Sequence, residues 1–346
     1  MSKEGEYVPP LEGRRGKLRL DFNENTVGCS PAVLDMLAGL TAEDLATYPE
    51  YGVLRRMLAE SLNVRIPQVV TTNGADEAIR LVSYFALAKG GKAVIPDPSF
   101  AMWRVNAEQL ESDIVDVPYR KDLSFPTQEV IDSIDDNTKL VVVVSPNNPT
   151  GTSISRDALV AILDKAGDAI VAVDEAYYEF TGTTFLDLVE QYPNLVIIRT
   201  FSKAYGLAGL RLGYTVAQEP LAQELDRINS PYGVNNLAVK AALVSLKDRG
   251  YVDKYAFQVK KNRKYVIEGL EEMNIETYPT DANFILARLG ERKNIVIEEL
   301  GGRGILVRDM GRYPLISDCM RITIGTKPQM SRFLKELADI LGGIEE

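Results

Sequence analysis

Histidine is absent from this chain of 346 residues. That excludes Ser-His-Asp and Cys-His catalysis and any histidine metal site. Acid–base work near neutral pH must fall to a tuned Lys, Tyr or carboxylate. There are only two cysteines, Cys29 and Cys319, so no disulfide framework is expected and a reducing compartment is. No apolar run approaches the length of a membrane span, and the opening stretch MSKEGEYVPP has no apolar signal core. The expectation is a soluble, cytoplasmic protein without a metal site. Positive charge is also short: 39 Lys and Arg stand against 49 Asp and Glu, and no basic run occurs. Nucleic acid is therefore an unexpected partner. Small anions remain possible, because a few local arginines can work against the global sign.

What the chain does have is ordinary globular composition, 45% hydrophobic and 25% charged, and enough length for two domains. Short apolar runs predict strands at Val69–Thr72, Ala93–Ile95, Leu140–Val144, Ile170–Val173, Val196–Ile198 and Leu212–Val216. Helical patterns lie between them, such as Asp76–Ala88 and Arg156–Lys165. The valine- and isoleucine-rich runs suit a parallel sheet buried on both faces, and the alternation predicts a doubly wound α/β domain. Farther on, one helical pattern covers Leu237–Met273. Short strands are expected at Phe284–Ala287, Leu306–Val307 and Met320–Ile324, then a helix over Met330–Leu341. This reads as a smaller α+β domain. With no repeat and no low-complexity linker, a continuous helix is expected to join the two parts.

Polar residues gather directly after several runs, where ligands of open α/β sheets bind. In TTNGADEAIRL a strand ends, Gly74 permits a tight turn and a helix starts near Asp76. Free N–H groups at a helix start suit a phosphate, although a plain cap explains this stretch as well. In VVVVSPNNPTG two prolines and two asparagines fix a loop, in which Asn148 offers an amide or merely shapes the turn. In IVAVDEAYYEF the carboxylate of Asp174 ends an apolar strand and wants a cation or an N–H, with Tyr177 close behind; a helix-capping Asp is the alternative. In RTFSKAYGLAGLRLGY, Ser202 and Lys203 follow a strand and Arg211 comes soon after. Ser and Arg suit a phosphate, and a desolvated Lys becomes nucleophile and base, though most lysines are merely solvated. Gly206, Gly209 and Gly213 are expected to let the backbone pass close to a ligand. Their spacing is not that of a nucleotide-binding G-x-G-x-x-G loop. A buried carboxylate, a phenol, an amide, a lysine and a phosphate cradle together match one cofactor, pyridoxal 5′-phosphate.

The same stretches carry a resemblance. LDFNEN, TYPEYG, SPNNPTG, DEAY, RTFSKAYGLAGLRLGY and RITIGT resemble the fold type I pyridoxal-phosphate-dependent aminotransferases of class I/II over nearly the whole chain, and most of all the histidinol-phosphate aminotransferase subgroup. The resemblance implies a large, doubly wound, mostly parallel seven-stranded sheet domain over 30–240. It implies a small α+β domain formed by 1–29 and 241–346. Lys203 would hold the cofactor aldehyde and then act as the base at the substrate α-carbon. Asp174 would keep the pyridine nitrogen protonated, Tyr177 and Asn148 would hydrogen-bond the phenolic oxygen, and Phe100 would stack on the ring or serve as a core aromatic. Ser202, Arg211 and the backbone of Gly74, Ala75 and Asp76 would hold the phosphate. Tyr48 would reach the phosphate in the partner subunit of a homodimer with shared active sites.

Arg321 and Arg308 would take substrate anions, and Tyr7 and Asn23 would fold over the substrate; for these four a surface contact is the alternative. The implied reaction moves an amino group from a small-molecule donor, L-histidinol phosphate, to a 2-oxo acid, 2-oxoglutarate, in histidine biosynthesis. An aromatic amino-acid aminotransferase and a threonine-phosphate decarboxylase share the scaffold and the cofactor residues, and both stand as alternatives.

Overall fold

The computed structural model describes residues 12–345. Its largest sheet has seven strands, in the order Val69–Thr72, Gly213–Ala217, Leu195–Thr200, Ile170–Asp174, Thr138–Val144, Lys92–Asp97 and Asp113–Pro118. Neighbours are parallel except at Gly213–Ala217, which runs antiparallel to both strands beside it. The central strands have no solvent face. Along Thr138–Val144, Val141 and Val143 join one apolar cluster, while Leu140, Val142 and Val144 join another. Alternate residues of a strand point to opposite faces, so both faces are covered. The helix Gly74–Leu87 supplies Ile79 and Val82 to one cluster, and Arg156–Ala166 supplies Leu159 and Ile162 to the other. Each such buried side chain is worth roughly 1.5–3 kcal/mol. The double core therefore fixes where each strand ends, which is what the site depends on.

A four-stranded antiparallel sheet follows the order Arg308–Asp309, Cys319–Thr323, Phe284–Arg288 and Glu276–Thr277. The strand Leu18–Arg19 pairs in parallel with Ile305–Leu306. The Thr323 N–H then donates to the Leu20 carbonyl at 2.9 Å. The early chain is thereby tied to the late chain, and residues 22–24 reach the ends of the central strands.

Three expectations need correction. The strand Asp113–Pro118 gave no sequence signal, because it sits at the sheet edge with one neighbour, is only partly buried and contains Asp113 and Asp116. The pattern over Leu237–Met273 is two helices, Asn236–Lys247 and Arg249–Glu272, rather than one. They part at Asp248, whose φ of −101° and ψ of 44° leave the helical region and whose carboxylate accepts the Ser30 hydroxyl. The strand expected at Leu306–Val307 is two pairings, Ile305–Leu306 and Arg308–Asp309, because the chain changes partner at Val307.

Candidate active site

A cleft of about 340 Å³ opens where the central strands end, with Val144, Asp174 and Thr200 in its wall. Asp174 is 2% exposed and accepts the Ala176 N–H at 3.1 Å. Burial pushes its carboxyl up to about 6, with Asp76 adding to the rise, while the Ala176 N–H and the Lys203 charge pull the other way. A proton-bearing nitrogen placed against this oxygen would reverse that rise. Tyr177, also buried, accepts a 3.0 Å hydrogen bond from Asn23 Nδ2 and packs edge-on against Phe284. Lys203 Nζ lies 5.7 Å from the Tyr177 ring centroid and donates to the Phe22 carbonyl at 3.0 Å. The two asparagines of the proline loop divide their roles. Asn147 is fully buried and bonds Pro98, Ser99 and Thr150, fixing the loop. Asn148 faces the cleft and accepts from Arg321 Nη1. Phe100 forms another wall of the cleft and also packs against the core.

A helix start also faces the cleft. The helix Gly74–Leu87 begins there, and Ala75, Asp76, Ser202 and Arg211 line the cleft. The Glu77 carboxylate takes the Asn73 N–H at 2.6 Å, which anchors the turn before the helix. Arg211 donates to Asp76 at 2.8 Å and to Ser202 Oγ at 3.4 Å. Gly74 has φ +77°, and a Cβ there would lie 2.5 Å from the Arg211 guanidinium, so only glycine lets that guanidinium lie against the helix start. The other glycines serve differently from expectation. A Cβ at Gly206 would meet the Gly28 carbonyl at 2.6 Å, and one at Gly213 would meet Gly74 backbone at 2.6 Å. They allow backbone to pass backbone, not a ligand. Gly209 faces nothing within 4 Å.

Across the cleft stand the arginines. Arg308 and Arg321 are directly opposite each other on adjacent antiparallel strands, and both line the cleft. Arg321 is buried and also donates to the Asp21 carbonyl at 2.8 Å. Asn23 is 1% exposed and left-handed, with φ +56°; its backbone N–H donates to Thr323 Oγ1 at 3.0 Å. Sequence reasoning missed Phe22, Glu24, Arg312 and Tyr313, which also line the cleft. Arg312 and Tyr313 had a weak signal, following Arg308 across the turn at Gly311; Phe22 and Glu24 flank Asn23 in the LDFNEN stretch. Tyr48 is not brought to the cleft within one chain. It is 75% exposed and stacks on Tyr232 at 4.4 Å. Tyr7 lies outside the described residues.

These groups fit pyridoxal 5′-phosphate: a buried acid with an elevated pKa for the ring nitrogen, a lysine for the aldehyde, and the Ser202 hydroxyl and Arg211 guanidinium beside a helix start for the phosphate. Fold and site together define a pyridoxal-phosphate-dependent transferase. The family described as aminotransferase class I and II matches residues 15–337, and the chain belongs to it. The chain is 36% identical to the histidinol-phosphate aminotransferase of Symbiobacterium thermophilum, over 97% of this chain and 96% of that one. The crystal structure of the histidinol-phosphate aminotransferase from Clostridium acetobutylicum matches with a TM-score of 0.86 at 26% identity, over 94% of this chain and 99% of that chain. The one from Sinorhizobium meliloti, in complex with pyridoxal-5′-phosphate, has a TM-score of 0.87 at 24% identity and covers 94% and 91%.

Proposed function

We propose that this aminotransferase moves the amino group of L-histidinol phosphate to 2-oxoglutarate, in histidine biosynthesis. The observation that carries the reading is the placement of Arg308 directly opposite Arg321, above the lysine floor. Both side chains line the cleft. Guanidinium groups placed this way suit forked contacts to an anion, and both substrates bring one: the donor a phosphate, the acceptor its carboxylates. The 36% identity to a histidinol-phosphate aminotransferase over nearly the full length of both chains supports the same reading.

Bound pyridoxal phosphate supplies an aldehyde and an electron-withdrawing ring. The chain supplies the rest. Asp174 would hold a proton at the ring nitrogen, and its burial makes that pairing strong. Lys203 Nζ would anchor the aldehyde and, once released, take the proton from the substrate α-carbon, which supplies a base in a chain without histidine. Tyr177 and Asn148 would orient the ring oxygen, and Phe100 would hold one ring face. Ser202, Arg211 and the helix start would grip the phosphate. Arg321 and Arg308 would orient substrate by forked contacts to its anions.

We further read the chain as a cytoplasmic homodimer in which Tyr48 completes the partner's site; its exposed stack with Tyr232 supports this. A fully active monomer in sedimentation would end that part. No helix among the described residues is long and apolar enough to cross a membrane. We divide the chain into 30–240 and a smaller unit of 1–29 with 241–346, a division favoured by the pairing of Leu18–Arg19 with Ile305–Leu306. The substrate reading is tested by measuring kcat/KM for histidinol phosphate, phenylalanine and threonine phosphate side by side. Histidinol phosphate is expected to lead; a preference for phenylalanine, or release of carbon dioxide from threonine phosphate, overturns it.

A further inference from the structure

We infer that Arg14 is a positioning residue for the lysine end of the cleft, acting through segment 21–24; this rests on the aminotransferase reading above. Phe22, Asn23 and Glu24 line the cleft, whereas Arg14 does not. The segment touches the reacting machinery at three points. Lys203 Nζ donates to the Phe22 carbonyl at 3.0 Å, Arg321 Nη2 donates to the Asp21 carbonyl at 2.8 Å, and Asn23 Nδ2 donates to the Tyr177 hydroxyl at 3.0 Å. At its centre Asn23 holds φ +56°. A residue other than glycine keeps such a backbone only where its surroundings over-determine it.

Asn23 itself is bonded to Thr323, Asn283 and Tyr177, and Arg14 adds a constraint on both of its flanks. Its guanidinium donates to Asp21 at 2.9 and 2.8 Å and to Glu24 at 3.3 and 2.7 Å, so one fork brackets the left-handed residue from both sides. It also lies 4.1 Å from the Phe22 ring centroid. The Arg14 and Asp21 side chains are 12% and 5% exposed, sheltered from the screening that weakens surface ion pairs. Burial alone would raise the Glu24 carboxyl, yet the Arg14 hydrogen bond and the charges of Arg14, Arg19 and Lys203 hold it below its ordinary value. A lysine in this place keeps the charge, but its three N–H groups share one nitrogen, so it cannot reproduce the planar, paired contacts that Arg14 makes to both carboxylates.

The test compares the holoenzyme with Arg14→Ala and Arg14→Lys by backbone hydrogen exchange and steady-state kinetics. In Arg14→Ala the Asn23 amide, held in the parent by Thr323 Oγ1, is expected to exchange at least about tenfold faster through local opening. In the same variant kcat is expected to fall about tenfold, with KM moving much less and cofactor content near parental. Arg14→Lys should fall between. Parental exchange or parental kcat in Arg14→Ala overturns the inference. Should that variant fail to hold its fold, Arg14→Lys decides: intermediate values support the bridge, and parental values overturn it. The exchange readout does not depend on which amino donor the enzyme uses, so a failure of the substrate assignment would remain distinguishable.

Discussion

At the lysine end of the cleft, Asp174 hangs from the end of a strand buried on both faces, and Lys203 and Asn148 follow two others by a few residues. At the arginine end the contacts join distant parts of the chain: Arg321 to Asp21, 300 residues apart, and Arg321 to Asn148, 173 apart. The first end is set by the packing of the large sheet, with segment 21–24 touching it at Lys203 and Tyr177. The second is assembled from a short strand pair and the same crossing segment. Rigid placement suits chemistry that is the same for every substrate. An assembled wall suits selection between a phosphate and a carboxylate. Variants at the two ends should therefore fail in different ways.

Loss of Lys203 should be the most severe. Lys203→Ala is expected to abolish turnover with every donor and to remove the visible absorption of the bound cofactor. Borohydride reduction of the parent, followed by peptide mapping, should mark Lys203 alone; a mark on another lysine overturns the assignment. Asp174→Asn comes next. It should retain most of the cofactor yet lose roughly 10²–10³ in kcat, the scale of one preorganised electrostatic contact. Turnover near that of the parent would detach Asp174 from the chemistry.

Arg308→Ala probes the other end. A charge-assisted contact is worth about 1.5–3 kcal/mol, so kcat/KM for histidinol phosphate should fall about tenfold to a hundredfold. Phenylalanine, to the extent that it reacts, should lose much less. Equal losses for both donors would mean that Arg308 does not read the phosphate, and the contrast between the two ends would weaken.

The same contrast decides what was legible in the sequence. Asp174 and Lys203 could be found because each breaks or follows an apolar run, and strand ends of an open sheet gather ligands. The seven-strand sheet was readable for the same reason, except for Asp113–Pro118, whose edge position left it no apolar run to betray it. Arg308 and Arg321 came only from family resemblance, since nothing local says that two arginines face each other across a strand pair. Arg14, Phe22 and Glu24 were not found at all. Their placement exists only once segment 21–24 lies across the cleft, and no periodicity encodes that crossing. Gly206 and Gly213 were noticed correctly but for the wrong partner, because a glycine signals close approach without saying to what.

The smallest effect expected is on stability, and it carries the opposite sign to the catalytic loss. In the cofactor-free protein burial pushes the Asp174 carboxyl up from its ordinary 3.8 to about 6. A carboxyl raised in the folded state favours folding while it is protonated in both states, and that contribution is lost as pH rises from about 4 through 6. Above this window the protein keeps a buried carboxylate without its pyridinium partner. A shift of this size corresponds to about 1–3 kcal/mol. Asp174→Asn removes the charge and keeps the shape. The cofactor-free variant should therefore melt a few degrees above the cofactor-free parent at pH 8, and the two should coincide below pH 4. Loading the parent with pyridoxal phosphate should narrow the gap at pH 8, because the ring proton neutralises the carboxylate. Melting curves of both proteins across this pH range, with and without cofactor, are the measurement. A parent that is the more stable of the two at pH 8 without cofactor would show that Asp174 is already satisfied by its neighbours, and the lysine end would then be no more poised for its ligand than the arginine end.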